Sequence, residues 1–450
     1  MTTRRSGSTA TKRIVLIFAI LFPFSFVLIR DATASLSKIF SVRASFDTFD
    51  SALIPEVKVV NQDQRSEGIT SLNRKAMLDQ CQASLVKPVS RIQKKIVRQR
   101  PNSPILQSMV KVDGAYRLIF ITEGMSHVYA SWTTAEGAAW SCDGQPAVLH
   151  ANQSQNDAGR GGTLVITCPL TVQLVTGKKA GGGDIEYNTS LWRACSDHND
   201  LQGIPEASVE KMACTMFKGD HFELAQWIEY HRLIGFQHFL IYLHDARDVE
   251  NPTTLPDAVD ITYIPWSFDD LGNFKGAVMH QAVQQMDCIQ RAQSRNVTWV
   301  ALHDVDEYFQ IMDNSTLDGI LESHESDEHM GGLQLPSWFF GENLSENSTM
   351  GSNETKKLVI DSIWRSMTSY RDGVPNAGRE KMIIRPRRVV YFACHLIVLG
   401  GPMNAEPRIR LDHFKTREIG VYSSSYTKIA KDDSLQMRYG PLLRERLKIG

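Results

Sequence analysis

The densest run of chemistry-bearing residues is Trp299-Val300-Ala301-Leu302-His303-Asp304-Val305-Asp306-Glu307-Tyr308-Phe309. Four apolar residues lead into an imidazole and three carboxylates, as where a buried strand ends at the rim of a sheet. In extended backbone Asp304 and Asp306 point to one side, with Val305 turned to the core between them. Two convergent carboxylates suit a hard divalent cation. Mg2+ or Mn2+ takes oxygen ligands, keeps positions open and shares them with substrate phosphates. A solvated acidic turn would carry the same residues, and a D-x-D pattern by itself does not separate the two.

The elements around this run must bring it to an edge. After Met212 the rhythm is strand–helix–strand: Met212–Phe217 is apolar, and Asp220 with Glu223 opens a helix. Leu224, Trp227, Ile228, His231 and Ile234 then form one helical stripe. Gly235 sits where a glycine ends a helix, and Phe239–Leu243 is the next strand, closing at His244-Asp245. The unit suits a right-handed crossover in a parallel sheet. Ile261–Trp266 reads as a strand, residues 275–295 as a helix and Trp299–Leu302 as a strand, so this half is α/β with ligands expected at the carboxyl ends of its strands. Residues 105–205 are different. Tyr116–Thr122, His127–Trp132, Gln145–His150, Thr163–Cys168 and Thr171–Thr176 are short β-like runs between Gly, Asn and Asp clusters, which predicts a small β-rich, sandwich-like domain. Its Tyr129, Trp132 and Trp140 are expected in the core, with a sugar-stacking face as the other use of such residues.

Over 450 residues, 49 Lys+Arg against 50 Asp+Glu leave a formal charge of −1, which gives no field for nucleic acid. A hydrophobic share of 42% with 22% charged residues excludes a disordered or multi-span chain. Arg4, Arg5, Lys12 and Arg13 precede an apolar run from Ile14 to Ile29, about 24 Å as a helix and close to a thin bilayer. The expectation is a cytoplasmic tail (1–13), a signal anchor (14–29), a stem (30–104) and a luminal remainder; Ala32-Thr33-Ala34 keeps a cleaved signal peptide open. Sequons at Asn152, Asn188, Asn296, Asn314, Asn343, Asn347 and Asn353 agree with a secretory route. An oxidising lumen permits disulfides; Cys142–Cys168 is the first expected pair and Cys195–Cys214 the second, with Cys288 a buried structural thiol.

From about Cys214 to Lys415 the chain resembles the glycosyltransferase family 92 (DUF23) group and related GT-A glycosyltransferases. The resemblance lies in spaced motifs: Lys218-Gly219-Asp220 with Trp227-Ile228-Glu229-Tyr230-His231 and Gly235-Phe236-Gln237-His238-Phe239; Gln281 and Asp287-Cys288; Asp304-Val305-Asp306-Glu307-Tyr308-Phe309; Trp338-Phe339-Phe340-Gly341; Lys381-Met382-Ile383-Ile384-Arg385-Pro386 with His395; and Leu411-Asp412-His413-Phe414-Lys415. Gly219 and Asp220 depart from the family's N-E, and the Trp338 segment is contracted.

The resemblance implies a GT-A-like mixed sheet over residues 208–430, followed by a C-terminal tail (431–450). It also implies transfer of a hexose, first of all galactose from UDP-galactose, to a glycan acceptor with Mn2+ or Mg2+ and inversion at the anomeric carbon. Asp306 would bind the metal directly, Asp304 through water or at the ribose, and His413 as a third ligand; Glu307 would support them. Lys218 and Lys415 would contact the diphosphate, Asp245 the uridine or ribose, and Gln281 the donor sugar. Glu342 is the expected base, with Asp361 as a substitute. A single-pass Golgi membrane protein with a luminal catalytic domain follows, or a cleaved and secreted form. The rivals are a secreted glycan-binding or adhesion protein acting through the β-rich domain, and a metal-dependent hydrolase.

Overall fold

The computed structural model describes residues 103–122, 126–151, 162–189, 209–219, 221–245, 255–266, 277–341, 357–366, 380–414 and 429–449. All fall within one compact unit, Ile69–Gly450. The expected tail, anchor and stem up to residue 102 lie outside the described residues. Among those described, no helix is long and apolar enough to cross a membrane.

The first part is built from β1 (Ile105–Val112), β2 (Ala115–Thr122), α1 (Ser126–Thr133), β3 (Ala139–Cys142), β4 (Gln145–Pro146), β5 (Val148–Ala151), β6 (Gly162–Pro169), β7 (Leu174–Lys178) and β8 (Asp184–Asn188). They form two four-stranded antiparallel sheets, ordered β1-β2-β6-β5 and β4-β3-β7-β8. Leu106, Leu118, Phe120 and Ile166 from one sheet share a core with Trp140, Val175 and Tyr187 from the other. Cys142–Cys168 is a disulfide, as expected. Two expected strands are corrected. His127–Trp132 is helical, because six residues do not separate a period of 2 from one of 3.6 and Trp132 reaches the core from α1. Gln145–His150 divides at Ala147 between the two sheets, with Pro146, which cannot donate to a ladder, on an edge strand.

The second part runs through β9 (Lys211–Phe217), α2 (His221–Leu233), β10 (His238–Leu243), β11 (Ile261–Pro265), α3 (Ala277–Ser294), β12 (Trp299–Leu302), β13 (Glu307–Ile311), α4 (Leu317–Glu322), β14 (Gly332–Leu335), β15 (Ser337–Gly341), β16 (Trp364–Ser366), β17 (Lys381–Ile384), β18 (Val389–Ala393), β19 (Leu396–Gly400), β20 (Met403–Ala405), β21 (Ile409–Phe414), β22 (Ile429–Lys431) and α5 (Ser434–Leu447). A seven-stranded mixed sheet is ordered β11-β10-β9-β12-β17-β14-β20. β9 to β12 are parallel, and β17 is antiparallel to its neighbours β12 and β14. Both faces are covered, which explains the continuous apolar runs of its strands. Ala213, Phe217 and Ile241 face Leu224 and Trp227 of α2, while Met212, Leu240 and Val300 face Val283, Met286 and Ile289 of α3.

Helix α3 is shared. Ile105, Ile119 and Val165 of the β-rich part belong to the same core as its apolar face. Asp287 on α3 is fully buried and accepts from Ser108 of β1, from the Tyr242 hydroxyl at 2.6 Å and from Arg291 at 2.6 Å. Cys288 is bonded to Cys214, which corrects both the expected Cys195–Cys214 pair and the expected thiol. Cys195 lies outside the described residues. Residues 431–450, expected as a tail, carry α5 instead. Leu435, Tyr439 and Leu443 enter the core, Tyr439 packs edge-on to Tyr230 at 5.0 Å, and Arg444 holds Asp361 at 2.8 Å. The low density of apolar residues in α5 hid a three-residue stripe on one face.

Candidate functional site

Because β9, β10, β11 and β12 are parallel, their carboxyl ends share one edge of the sheet. Lys218 directly follows β9, and Asp245 and Asp304 lie two residues beyond β10 and β12, so all three come to that edge. β17 runs the other way, so its first residue, Lys381, comes to the same edge. A five-stranded sheet ordered β13-β21-β15-β16-β22 continues from the acidic run. In it Glu307 stands opposite His413, and Phe339 lies beside His413 on the other side.

Between β12 and β13 the chain turns. The Glu307 amide donates to the Asp304 carbonyl at 3.1 Å, and Val305 is half-buried. The expected extended Asp304–Asp306 geometry is therefore corrected: four residues reverse the chain because β13 must leave the seven-stranded sheet to pair with β21. The turn separates the two aspartates. Asp306 Oδ2 lies 3.2 Å from His413 Nε2, and Glu307 Oε1 lies 3.3 Å from His413 Nδ1. Donor atoms of Asp306, Glu307 and His413 lie within 4.8 Å of one another. Asp304 instead accepts from Lys381 Nζ at 2.9 Å and from the Gln281 amide. Lys381 Nζ is also 3.3 Å from Glu307 Oε2, which accepts from the Asp304 amide at 2.7 Å. One oxygen of Glu307 is thus fixed from behind and the other faces the histidine.

Burial sets the electrostatics. Glu307 is 1% exposed, and burial pushes its carboxyl up although Lys381 opposes this. For Lys381, 3% exposed, burial pulls the ammonium down, but Asp304 and Glu307 outweigh it and the net shift is upward. Asp306 remains 28% exposed, the wettest of the three donors. Below the turn lies an aromatic floor. His303 Nε2 is 2.9 Å from His231 Nε2, and His231 Nδ1 donates to the Trp227 carbonyl at 2.7 Å. Burial lowers His231 to about 3 and drives His303 well below the ordinary histidine value, so both rings are neutral.

Two carboxylates and an imidazole could hold a divalent metal ion, the carboxylates suiting Mn2+ or Mg2+ and the imidazole adding a nitrogen donor of the kind transition metals accept. His413 Nδ1 fits that use: it is buried and makes no hydrogen bond, its distance to Glu307 notwithstanding. The resemblance pairs Asp306 with His413 and sets Glu307 behind them; Lys381, which the structure brings to the same place, carries no expected role. The signal for Lys381 was a lysine opening an otherwise apolar strand that had to end beside the acids. Lys218 is exposed and precedes Gly219 at φ +145°, a conformation suited to the glycine that stands where the family has asparagine. Asp245 is half-buried. Asp361, the substitute base, is bound by the Leu358 amide and Arg444, each at 2.8 Å, which makes it an anchor for α5. Glu342 directly follows β15 and Lys415 directly follows β21; both lie outside the described residues.

Fold and site define an α/β domain in which two carboxylates and an imidazole, a set that could hold a metal ion, meet at the carboxyl edge of a parallel sheet. Residues 212–402 match the family model described as Glycosyltransferase family 92. The chain is also 27% identical over 176 residues to a glycosyltransferase family 92 protein of Oryza sativa subsp. japonica. That match covers 38% of this chain and 26% of the relative, so it spans about a quarter of the relative's length.

Proposed function

We propose that the protein is a glycosyltransferase of GT-A type that moves a hexose from a nucleoside-diphosphate sugar to a glycan acceptor, with Mn2+ or Mg2+ bound. The observation that carries this reading is the convergence of Asp306, Glu307 and His413 at the ligand-binding edge of a domain that matches the family 92 model. These three side chains would hold the cation. When bound, it supplies positive charge that stabilises the leaving diphosphate.

The chain's own residues do the rest. Lys381 and the Asp304 amide orient Glu307, and Gln281 with Lys381 holds Asp304 towards the ribose or donor sugar. Lys218 and Lys415 contact the diphosphate and Asp245 the uridine or ribose. Glu342 takes the proton from the acceptor hydroxyl in an inverting displacement, a role for which Asp361 is too firmly held. Galactose from UDP-galactose is the donor to test first. The disulfides Cys142–Cys168 and Cys214–Cys288 support folding in an oxidising lumen, and we assign the chain to the Golgi as a type II protein with its catalytic domain inside. The glycan-binding reading loses two of its three stacking residues, because Trp132 and Trp140 are buried in the core; the Tyr129 side chain lies outside the described residues.

The test is thermal melting with UDP and Mn2+ together, followed by a screen of UDP- and GDP-sugars. Stabilisation that chelation abolishes is expected. Stabilisation by free oligosaccharide and not by UDP with Mn2+ would overturn the reading.

A further inference from the structure

Seven sequons suggest glycosylation without saying which asparagines the folded chain can carry in modified form. Two are described in full, Asn296-Val297-Thr298 and Asn314-Ser315-Thr316. Sugar is added largely before folding, so the finished fold must leave each modified asparagine in solvent and clear of function. Asn296 and Thr298 are both exposed, while Val297 between them is buried and pins the loop. Asn296 has φ +57°, a left-handed conformation that asparagine tolerates better than most residues. Arg387 donates to its Oδ1, which is not the atom that takes a sugar. Asn314 and Thr316 are exposed as well, and the Thr316 hydroxyl caps α4 by accepting from Gly319 at 3.1 Å.

Both asparagines lie at the same end of the domain. Asn296 precedes β12, and the acidic turn follows it, so four strand residues, about 13 Å, separate them. Asp318, in the first turn of α4, pairs at 2.7 Å with Lys211, the opening residue of β9. The start of α4 is therefore also at the amino edge of the parallel strands, opposite Asp306 and His413.

We propose that Asn296 and Asn314 are N-glycan acceptors and that their glycans cover the amino edge of the sheet, leaving the carboxyl edge open. This rests on the luminal reading above. In the modification, the asparagine Nδ2 attacks the anomeric carbon of an oligosaccharide linked to a lipid diphosphate. A C–N bond forms and the C–O bond to the diphosphate breaks. The lipid diphosphate leaves with the electron pair, and the amide proton passes to a base of the transferring enzyme.

The experiment expresses the full chain in a host whose secretory pathway attaches N-glycans and reads each site by peptide mass spectrometry after glycosidase treatment. Glycan is expected at both positions. Asn296→Asp and Asn314→Asp should each remove one glycan and the double variant two, with Mn2+-dependent melting and sugar transfer unchanged. Asp retains the left-handed preference at position 296, and Thr298→Ala provides a second variant that removes the motif but keeps the asparagine. Bare Asn296 and Asn314 in a chain glycosylated at other sequons and carrying its two disulfides would overturn the proposal alone. A chain with no glycan and reduced Cys142, Cys168, Cys214 and Cys288 would overturn the luminal reading with it.

Discussion

The two parts of the molecule bury different things. The β-rich part buries aromatics: Phe120, Trp140 and Tyr187 pack with ring centroids 5.0–6.4 Å apart, and the Trp140 indole donates to the Trp132 carbonyl at 2.9 Å. The α/β part buries aromatics too, but at its carboxyl edge it also buries Lys381, Glu307 and the histidines His231, His244, His303 and His413. Burying charge costs stability unless it is paired, so a cluster of this kind is kept for another reason, and the edge of a parallel sheet is where ligands bind. The proposed function uses that difference, with the reaction at the carboxyl edge and the β-rich part as its support.

The sharpest way to break that division is Asp306→Asn. Sugar transfer should fall about 10³-fold with melting of the metal-free protein unchanged, because the residue is partly exposed and its role is electrostatic. Full activity in this variant would remove the chemistry from the acidic turn.

Lys381→Met tests the buried charge itself. Removing the cation leaves Glu307 buried without its counter-ion, and denaturant titration should show a loss of about 3 kcal/mol. That is the low end for a broken buried pair, because Asp304 is 35% exposed and partly screened by water. No loss would mean that the cluster is solvated and not a built site.

Acid separates the two parts by histidine. Burial lowers His231 to about 3, against an ordinary value of 6.5, so between these limits the unfolded chain binds a proton that the folded chain refuses. Its contribution to stability is present above pH 6.5 and is lost as pH falls towards 3, at about 1.4 kcal/mol per pH unit. His231→Gln should flatten the stability–pH slope by about one proton. His150→Gln in the β-rich part should flatten it less, because that ring is only half-buried. Equal effects would remove the contrast.

Much of the α/β part was legible because local pattern and tertiary role agree there. The β9–α2–β10 unit has its apolar runs, its helical stripe and Gly235 at φ +109°, and the register of β12 carried the acids to the edge. What could not be read depends on distant partners. β1 shows no alternation, since Gln107 and Ser108 are buried and Ser108 bonds to Asp287 across 179 positions. Lys381 gains meaning only from the antiparallel pairing of β17 with β12. Glu307 became a facing donor only because the chain turns at Asp304 and brings β13 against β21.

The smallest expected effect compares the two disulfides, one within the β-rich part and one that ties β9 to α3. Cys142–Cys168 spans 26 positions and Cys214–Cys288 spans 74. If each acts by restricting the unfolded chain, replacing both cysteines by alanine should cost about 3.5 kcal/mol for the shorter loop and about 4.4 for the longer. The difference of about 1 kcal/mol holds only if both parts unfold together, and the shared core around α3 predicts that they do. Denaturant unfolding should then be a single transition in both variants, with the Cys214–Cys288 variant the weaker. Two transitions, or a reversed order, would show that the β-rich part unfolds on its own and that α3 is no more than a contact between two independent bodies.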